Sequence, residues 1–227
     1  MNPILERYVP LVEYIGQIFG EYCEVILHDL TNMEHSIVAI ANQQITGREV
    51  GGHITDFGLE VVHDPKYVDK DFAVNYRGTT PDGTRTLKSS TFFIRDDNGD
   101  TIGLLCINLD ITDWLVAQRL VEGVTRLVGE PAAKCPIRET ERREPTMETF
   151  TLSLEETLHS MIDRAVSELG VPPHRLTTNE KKNLVITLHA KGTFTLKGAV
   201  SLVAKQLDVS EQTVYRYLRE AQEQERQ

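Results

Sequence analysis

Apolar residues at the start of the chain recur at Leu5, Tyr8, Val12, Ile15 and Phe19, the spacing of one helix face, and residues 4–19 predict a helix ending at Gly20. Two Val- and Ile-rich runs follow, Cys23–His28 and Ser36–Ala41, which predict strands. A glycine-rich loop, Thr46-Gly47-Arg48-Glu49-Val50-Gly51-Gly52, leads to a short helix from Thr55 to Val62. Three more strands are predicted at Phe72–Arg77, Thr86–Arg95 and Thr101–Leu109. They are joined by Pro81-Asp82-Gly83 and Asp96-Asp97-Asn98-Gly99, whose Asp, Asn and Gly residues tolerate the positive φ that tight hairpins need. From Thr112, Trp114, Ala117, Val121, Val124 and Val128 repeat at heptad-like spacing, which fits either a coiled-coil-like dimer seam or packing of this helix on the sheet. Between 130 and 149 the periodicity disappears among Pro131, Pro136, Pro145 and the mixed charges of Arg138–Glu144, as in a linker. Helical patterning then resumes: a stripe of Leu154, Leu158, Ile162, Ala165 and Leu169, a second helix from Thr178 to near Gly192, a third over Lys197–Leu207 and a fourth from Glu211.

Two strands, a helical crossover and three antiparallel strands match a PAS-type sensor. The expected class is therefore α+β: a PAS-like antiparallel sheet with flanking helices over 1–130, a linker over 131–150 and an all-α helix-turn-helix domain over 151–227. At 227 residues, 40% apolar and 26% charged, the chain is long enough and apolar enough for two folded units. Its apolar runs are too short to span a bilayer, and residues 1–7 lack the basic start of a signal peptide. Cys23, Cys106 and Cys135 form no CxxC pair and are odd in number, so neither a disulfide framework nor a zinc finger is expected, and the reading is cytoplasmic. The net charge of −10 argues against a nucleic-acid partner until it is divided. Residues 1–150 hold 14 Lys and Arg against 24 Asp and Glu, whereas 151–227 hold 10 of each. Any contact with phosphate is expected from the second part, and a neutral domain favours binding as a homodimer or larger homo-oligomer.

The sharpest local pattern runs from Gly198 to Leu218. Ala204 supplies the small residue that two tightly crossing helices require, and Leu207, Val209, Val214 and Leu218 complete a small core. Ser210 is placed to cap the second helix. Gln212, Thr213, Arg216 and Arg219 then fall near the outer face with Tyr215 on its flank, while Lys197 precedes the first helix. Gln and Arg can bond base edges bidentately, and Thr, Tyr and Lys can reach phosphate, so these residues with Ser210 are the candidate contacts to a double-stranded DNA operator.

The same residues resemble a known family. Lys191-Gly192-Thr193-Phe194, Lys197-Gly198-Ala199-Val200, Val203-Ala204 and Val209-Ser210…Thr213-Val214-Tyr215-Arg216-Tyr217-Leu218 look like the helix-turn-helix of YheO-like (DauR-like) transcriptional regulators. Phe19-Gly20…Cys23–Leu30, Ser36–Asn42, Thr46-Gly47-Arg48, Leu87–Thr91 and Cys106–Asp110 resemble the PAS-like domain of that family. The resemblance covers nearly the whole chain and implies a bacterial cytoplasmic regulator that senses a signal and binds DNA. One departure is Gln43-Gln44, where a Gly-containing tight turn is expected.

Polar residues interrupt the apolar strands at His28, Asp29, Asn42, Tyr76, Lys88, Ser89, Ser90 and Asn108. Buried polar groups need partners, so these make an internal network or, with Arg48 from the glycine-rich loop, a ligand site. In the second case Asp29 meets an amine or guanidinium, Arg48 or Lys88 a carboxylate, and Ser89, Ser90 and Asn108 orient an amino-acid-like small-molecule effector. His28, His53 and His63 lack metal-ligand spacing, Cys106 reads as a small core residue, and GxSxG, HExxH and P-loop patterns are missing; no enzyme, cofactor or metal is expected. The competing reading is a protein-interaction module in which the sensor binds a protein and the helical tail dimerises.

Overall fold

The computed structural model describes residues 2–125, 147–169 and 175–225. Helices α1 (Pro3–Glu6) and α2 (Val9–Phe19) precede strands β1 (Cys23–Asp29) and β2 (Ile37–Ala41). Helix α3 (Asp56–His63) crosses to β3 (Phe72–Thr79), β4 (Thr86–Arg95) and β5 (Thr101–Asp110), and α4 (Thr112–Thr125) leaves the sheet. Strand β6 (Met147–Thr149) and helices α5 (Leu154–Leu169), α6 (Thr178–Ala190), α7 (Ala199–Gln206) and α8 (Glu211–Glu225) complete the chain.

The sheet has six strands in the order β2-β1-β5-β4-β3-β6. The first five pair antiparallel, and Gly83 and Gly99 supply the positive φ of the two hairpins. The sixth corrects the expected boundaries: the end of the stretch read as linker returns to the sheet and pairs parallel to β3, Gly78 opposite Glu148. No apolar periodicity announces a three-residue edge strand, and Phe150, buried immediately after it, holds it in place. At the departure after β2, Asn42 takes the positive φ that a glycine would otherwise provide, at 57°.

Both faces of the sheet are covered. Leu5 and Val12 of the first two helices pack with Val25, Leu27 and Leu105 on the outer face. On the inner face Ile26, Phe93 and Leu104 pack with Phe57 and Leu59 of α3, and the same core takes in Leu158 and Met161 of α5 with Leu196 and Ala199. The sheet and the C-terminal helices thus share one apolar core.

Of the two readings of α4, packing on the sheet is excluded for the described residues. No side chain of Thr112–Thr125 is buried, and Trp114, Leu120, Val121 and Val124 are exposed. A second apolar cluster, including Ile162, Leu184, Val185, Leu188, Val203, Leu207, Val214 and Tyr217, closes the helical half.

At Gly78 two strands and Phe150 meet: a Cβ there would lie 2.5 Å from the Phe150 ring and 2.8 Å from Ser89 Oγ. Gly78→Ala is expected to lower stability by about 1–3 kcal/mol through overpacking, measured by urea unfolding, with β6 the first segment to lose hydrogen-exchange protection.

Candidate functional site

Cross-strand register places four polar side chains in one row across the inner face: Glu24 opposite Asn108, Asn108 opposite Ser89, and Ser89 opposite Tyr76. All four are buried. Glu24 accepts from the Thr46 hydroxyl at 2.6 Å and from Asn108 Nδ2 at 3.0 Å. The next row holds Ile26, Cys106 and Thr91, and Tyr76 bonds Thr91 at 2.7 Å. His28 lies one row further and bonds Ser36 at 2.8 Å.

Over this row the glycine-rich loop brings in Arg48, 4% exposed, whose Nη2 donates to the His53 carbonyl. Residues from beyond the linker close the other side. Glu148 of β6 accepts from the Thr55 hydroxyl at 2.6 Å, and His53 meets the hydroxyls of Thr157 and Thr151 at 2.8 and 3.2 Å. Asp56, at the start of α3, accepts from the Thr149 amide and pairs with Arg164 of α5 at 3.2 Å. Six buried polar atoms lack a hydrogen-bond partner among the described residues, and five belong to this cluster: Asp56 Oδ2, which is ion-paired with Arg164, and Arg48 Nη1, Ser89 Oγ, Asn108 Oδ1 and Glu148 Oε2.

Desolvation dominates its electrostatics. Burial raises the carboxyl of Glu24 against the lowering effect of its hydrogen bonds, and pushes Glu148 up to about 7. Burial, then Arg48, lowers the imidazoles, His53 to about 4 and His28 well below its ordinary value. Both histidines are therefore neutral near pH 7.

Of the residues singled out in the sequence, Arg48, Tyr76, Ser89 and Asn108 come together here, with His28 at the margin. Others serve local structure. Asp29 accepts from the amide and hydroxyl of Thr31, and Asn42 donates to the carbonyls of Gly16, Gly20 and Cys23. Lys88 is exposed and Ser90 accepts from the Asn75 amide, both on the face opposite Ser89 because side chains alternate along β4. The pairing of Asp29 or Lys88 with a ligand in this cluster is thereby corrected. Glu24, His53, Asp56 and Glu148 were missed. Glu24 could have been found as a charge inside an otherwise apolar strand; Glu148 sits in a charged, proline-bearing stretch that offers no such contrast.

In the helical half, α7 and α8 form the expected turn. Val209 donates to the Ala204 carbonyl at 3.0 Å, Asp208 takes a positive φ of 49°, and Ser210 Oγ accepts from the Thr213 amide at 3.2 Å. Val214 and Tyr217 point inward, leaving Gln212, Tyr215, Arg216 and Arg219 exposed along one side of α8. Lys197 is exposed too, and its amide donates to Glu34 of the N-terminal half at 3.1 Å. No helix among the described residues is long and apolar enough to cross a membrane.

Glu148 makes stability pH-dependent. Its carboxyl holds its proton to higher pH in the folded state than the ordinary 4.5, so between 4.5 and about 7 the folded protein binds more protons and rising pH favours unfolding through this group. Glu148→Gln removes that contribution. Its stability relative to the parent is expected to increase from pH 5 to pH 7.5 in urea titrations, and a gap independent of pH would contradict the assignment.

Residues 1–126 match the YheO-like PAS domain and residues 157–219 match an HTH domain, neither of them a catalytic domain. The chain is 32% identical over 225 residues to an uncharacterized protein of Haemophilus influenzae, covering 98% of this chain and 93% of that one. It is 30% identical to the uncharacterized protein YheO of Escherichia coli K12, covering 96% of this chain and 84% of that one. To the transcriptional regulator DauR of Pseudomonas aeruginosa it is 29% identical, over 98% of this chain and 96% of the other. Matched over more than half its length by that PAS domain and aligned nearly end to end with these relatives, the chain belongs to the YheO-like PAS family and carries a C-terminal helix-turn-helix domain.

Proposed function

We propose that this protein is a cytoplasmic DNA-binding transcriptional regulator in which an amino-acid-like metabolite, held in the PAS-like half, controls operator binding by α7 and α8. The observation that carries the reading is the position of the buried polar cluster. It contains unpartnered groups of both charge types, and it is bounded by β6 and α5, the segments that lead into the DNA-binding helices. A metabolite that prefers one arrangement of these segments shifts the population of that arrangement by its differential affinity.

On the DNA side, Gln212, Arg216 and Arg219 lie on successive turns along one side of α8, the geometry by which a recognition helix presents side chains to the major groove. Ser210, Thr213, Tyr215 and Lys197 flank them as contacts to the backbone or to thymine methyls. The kinship with a relative named as a transcriptional regulator supports the same role. The exposed apolar side of α4 supports a homodimer: Trp114, Val121 and Val124 follow heptad spacing and Val124 is 88% exposed. A dimer places two α8 helices on half-sites about 34 Å apart, so the expected operator is pseudo-palindromic.

Arg216→Ala is expected to weaken operator binding by about 1–3 kcal/mol in fluorescence anisotropy, with thermal stability and oligomeric state unchanged. Loss of the oligomer, with DNA affinity retained, would instead favour the protein-interaction reading. Val121→Asp is expected to give a folded monomer in analytical ultracentrifugation, with operator affinity falling because the second half-site contact is lost.

A further inference from the structure

Arg48 and Glu148 are both buried, and each ends in an atom without a partner. They feel each other electrostatically: Glu148 comes first among the charges acting on Arg48, ahead of Glu24. No direct ion pair joins Arg48 to Glu24, Glu148 or Asp56 among the described residues. Asp56 has its own cation in Arg164. Glu24 is satisfied by the neutral groups of Thr46 and Asn108. Glu148 is held by neutral hydroxyls, Thr55 at 2.6 Å and Tyr76 beside it, and by no cation in direct contact. A guanidinium and a carboxylate buried in one cluster without touching is costly, since each pays desolvation without recovering it from the other.

Two further unpartnered atoms adjoin the pair. Gly78 is the register partner of Glu148 on β3, and Ser89 Oγ lies 2.8 Å from where a Gly78 Cβ would stand. Asn108, whose Oδ1 is also unpartnered, is the register partner of Ser89. Donor and acceptor groups thus lie in the same buried cluster as the two charges.

We propose that a small zwitterion binds between Arg48 and Glu148, its anionic group on the guanidinium and its cationic nitrogen on the carboxylate, so that the effector is gripped by the strand leading into α5. This rests on the sensing role proposed above and adds the residue through which the effector reaches the DNA-binding half. A bound ammonium adds a cation in direct contact, beyond the more distant Arg48, which already opposes the burial that raises Glu148. Asn108 and Ser89 orient the body of the ligand.

Glu148 is a ligand-contacting residue that the PAS-like domain match, ending at residue 126, does not include. It lies on β6, two residues before buried Phe150 and three before Thr151, which meets His53 and Thr157. A cation on Glu148 competes with the Thr55 hydroxyl for the carboxylate. It thereby changes how β6 is held against α3 and, through Thr149, Asp56 and Arg164, how α5 sits.

The test uses the full-length protein and a panel of amino acids in both enantiomers, each beside its des-amino acid and its decarboxylated amine. At least one amino acid is expected to raise the melting temperature while neither matched half does so at the same concentration. Calorimetry with Glu148→Gln should then show binding weaker by roughly thirtyfold or more, and operator affinity that no longer responds to the compound. A des-amino acid that stabilises as well as its amino acid would overturn the contact to Glu148 while leaving the sensing role intact. Unchanged binding by Glu148→Gln would do the same. A panel in which no compound raises the melting temperature would overturn both the zwitterion and the amino-acid-like effector. The analogue series on the parent protein stands whether or not the variant folds.

Discussion

Polar groups buried between the sheet and the C-terminal helices have to find partners, and Asp56, Thr55 and His53 find theirs across the junction. Asp56 at the head of α3 takes the Thr149 amide and Arg164 of α5; Thr55 bonds Glu148; His53 meets Thr151 and Thr157. Each of these links joins residues more than 90 positions apart in sequence. If the chain did not return to the sheet as β6, Asp56 would lose the Thr149 amide and the Thr55 hydroxyl its carboxylate acceptor, and a buried carboxylate stripped of such partners costs several kcal/mol. The short edge strand therefore does more for the architecture than its length implies.

Apolar packing reinforces the same junction. Leu158, Met161, Leu196 and Ala199 share a core with Phe57, Tyr76 and Phe93, while Gly192, with φ at 74°, lets the ring of His63 approach to within 2.3 Å of where a Cβ would be. The 400 Å³ groove beside it is walled by His63, Phe194, Tyr215 and Arg219, which brings the end of α3 alongside α8. A change in how α3 or β6 is held has a short mechanical path to the helices of the turn. The apolar face of α4 stays open in the single chain, which is why the proposed dimer is placed there.

This arrangement ties the interior of the PAS-like half to the C-terminal helices through shared hydrogen bonds and one apolar core. The polar row Glu24–Asn108–Ser89–Tyr76 is built by strand register alone and is rigidly spaced. Arg48 and Glu148, by contrast, come from a loop and an edge strand, the parts of the fold that can shift at least cost. The proposed effector would bind between a fixed row and two movable charges, where small displacements reach furthest.

The pattern of the chain by itself determined the five antiparallel strands, the two hairpins and the four C-terminal helices, because period-two and period-3.6 spacing and the chemistry of Asp, Asn and Gly turns are local properties. It also determined the helix-turn-helix, since Ala204, the Asp208-Val209-Ser210 turn and the exposed Gln212 and Arg216 all lie within one short segment. Arg48, Tyr76, Ser89 and Asn108 were legible as polar interruptions or loop charge. What only the tertiary structure decided was which face each interruption joins. One residue of offset sends Lys88 and Ser90 outward and Ser89 inward, and Asp29 and Asn42 are consumed by neighbouring backbone. Glu148 and β6 were decided there too: a three-residue strand beside a proline-bearing stretch carries no periodicity, and its place follows from the buried groups of Thr55 and Asp56 that only folding brings beside it.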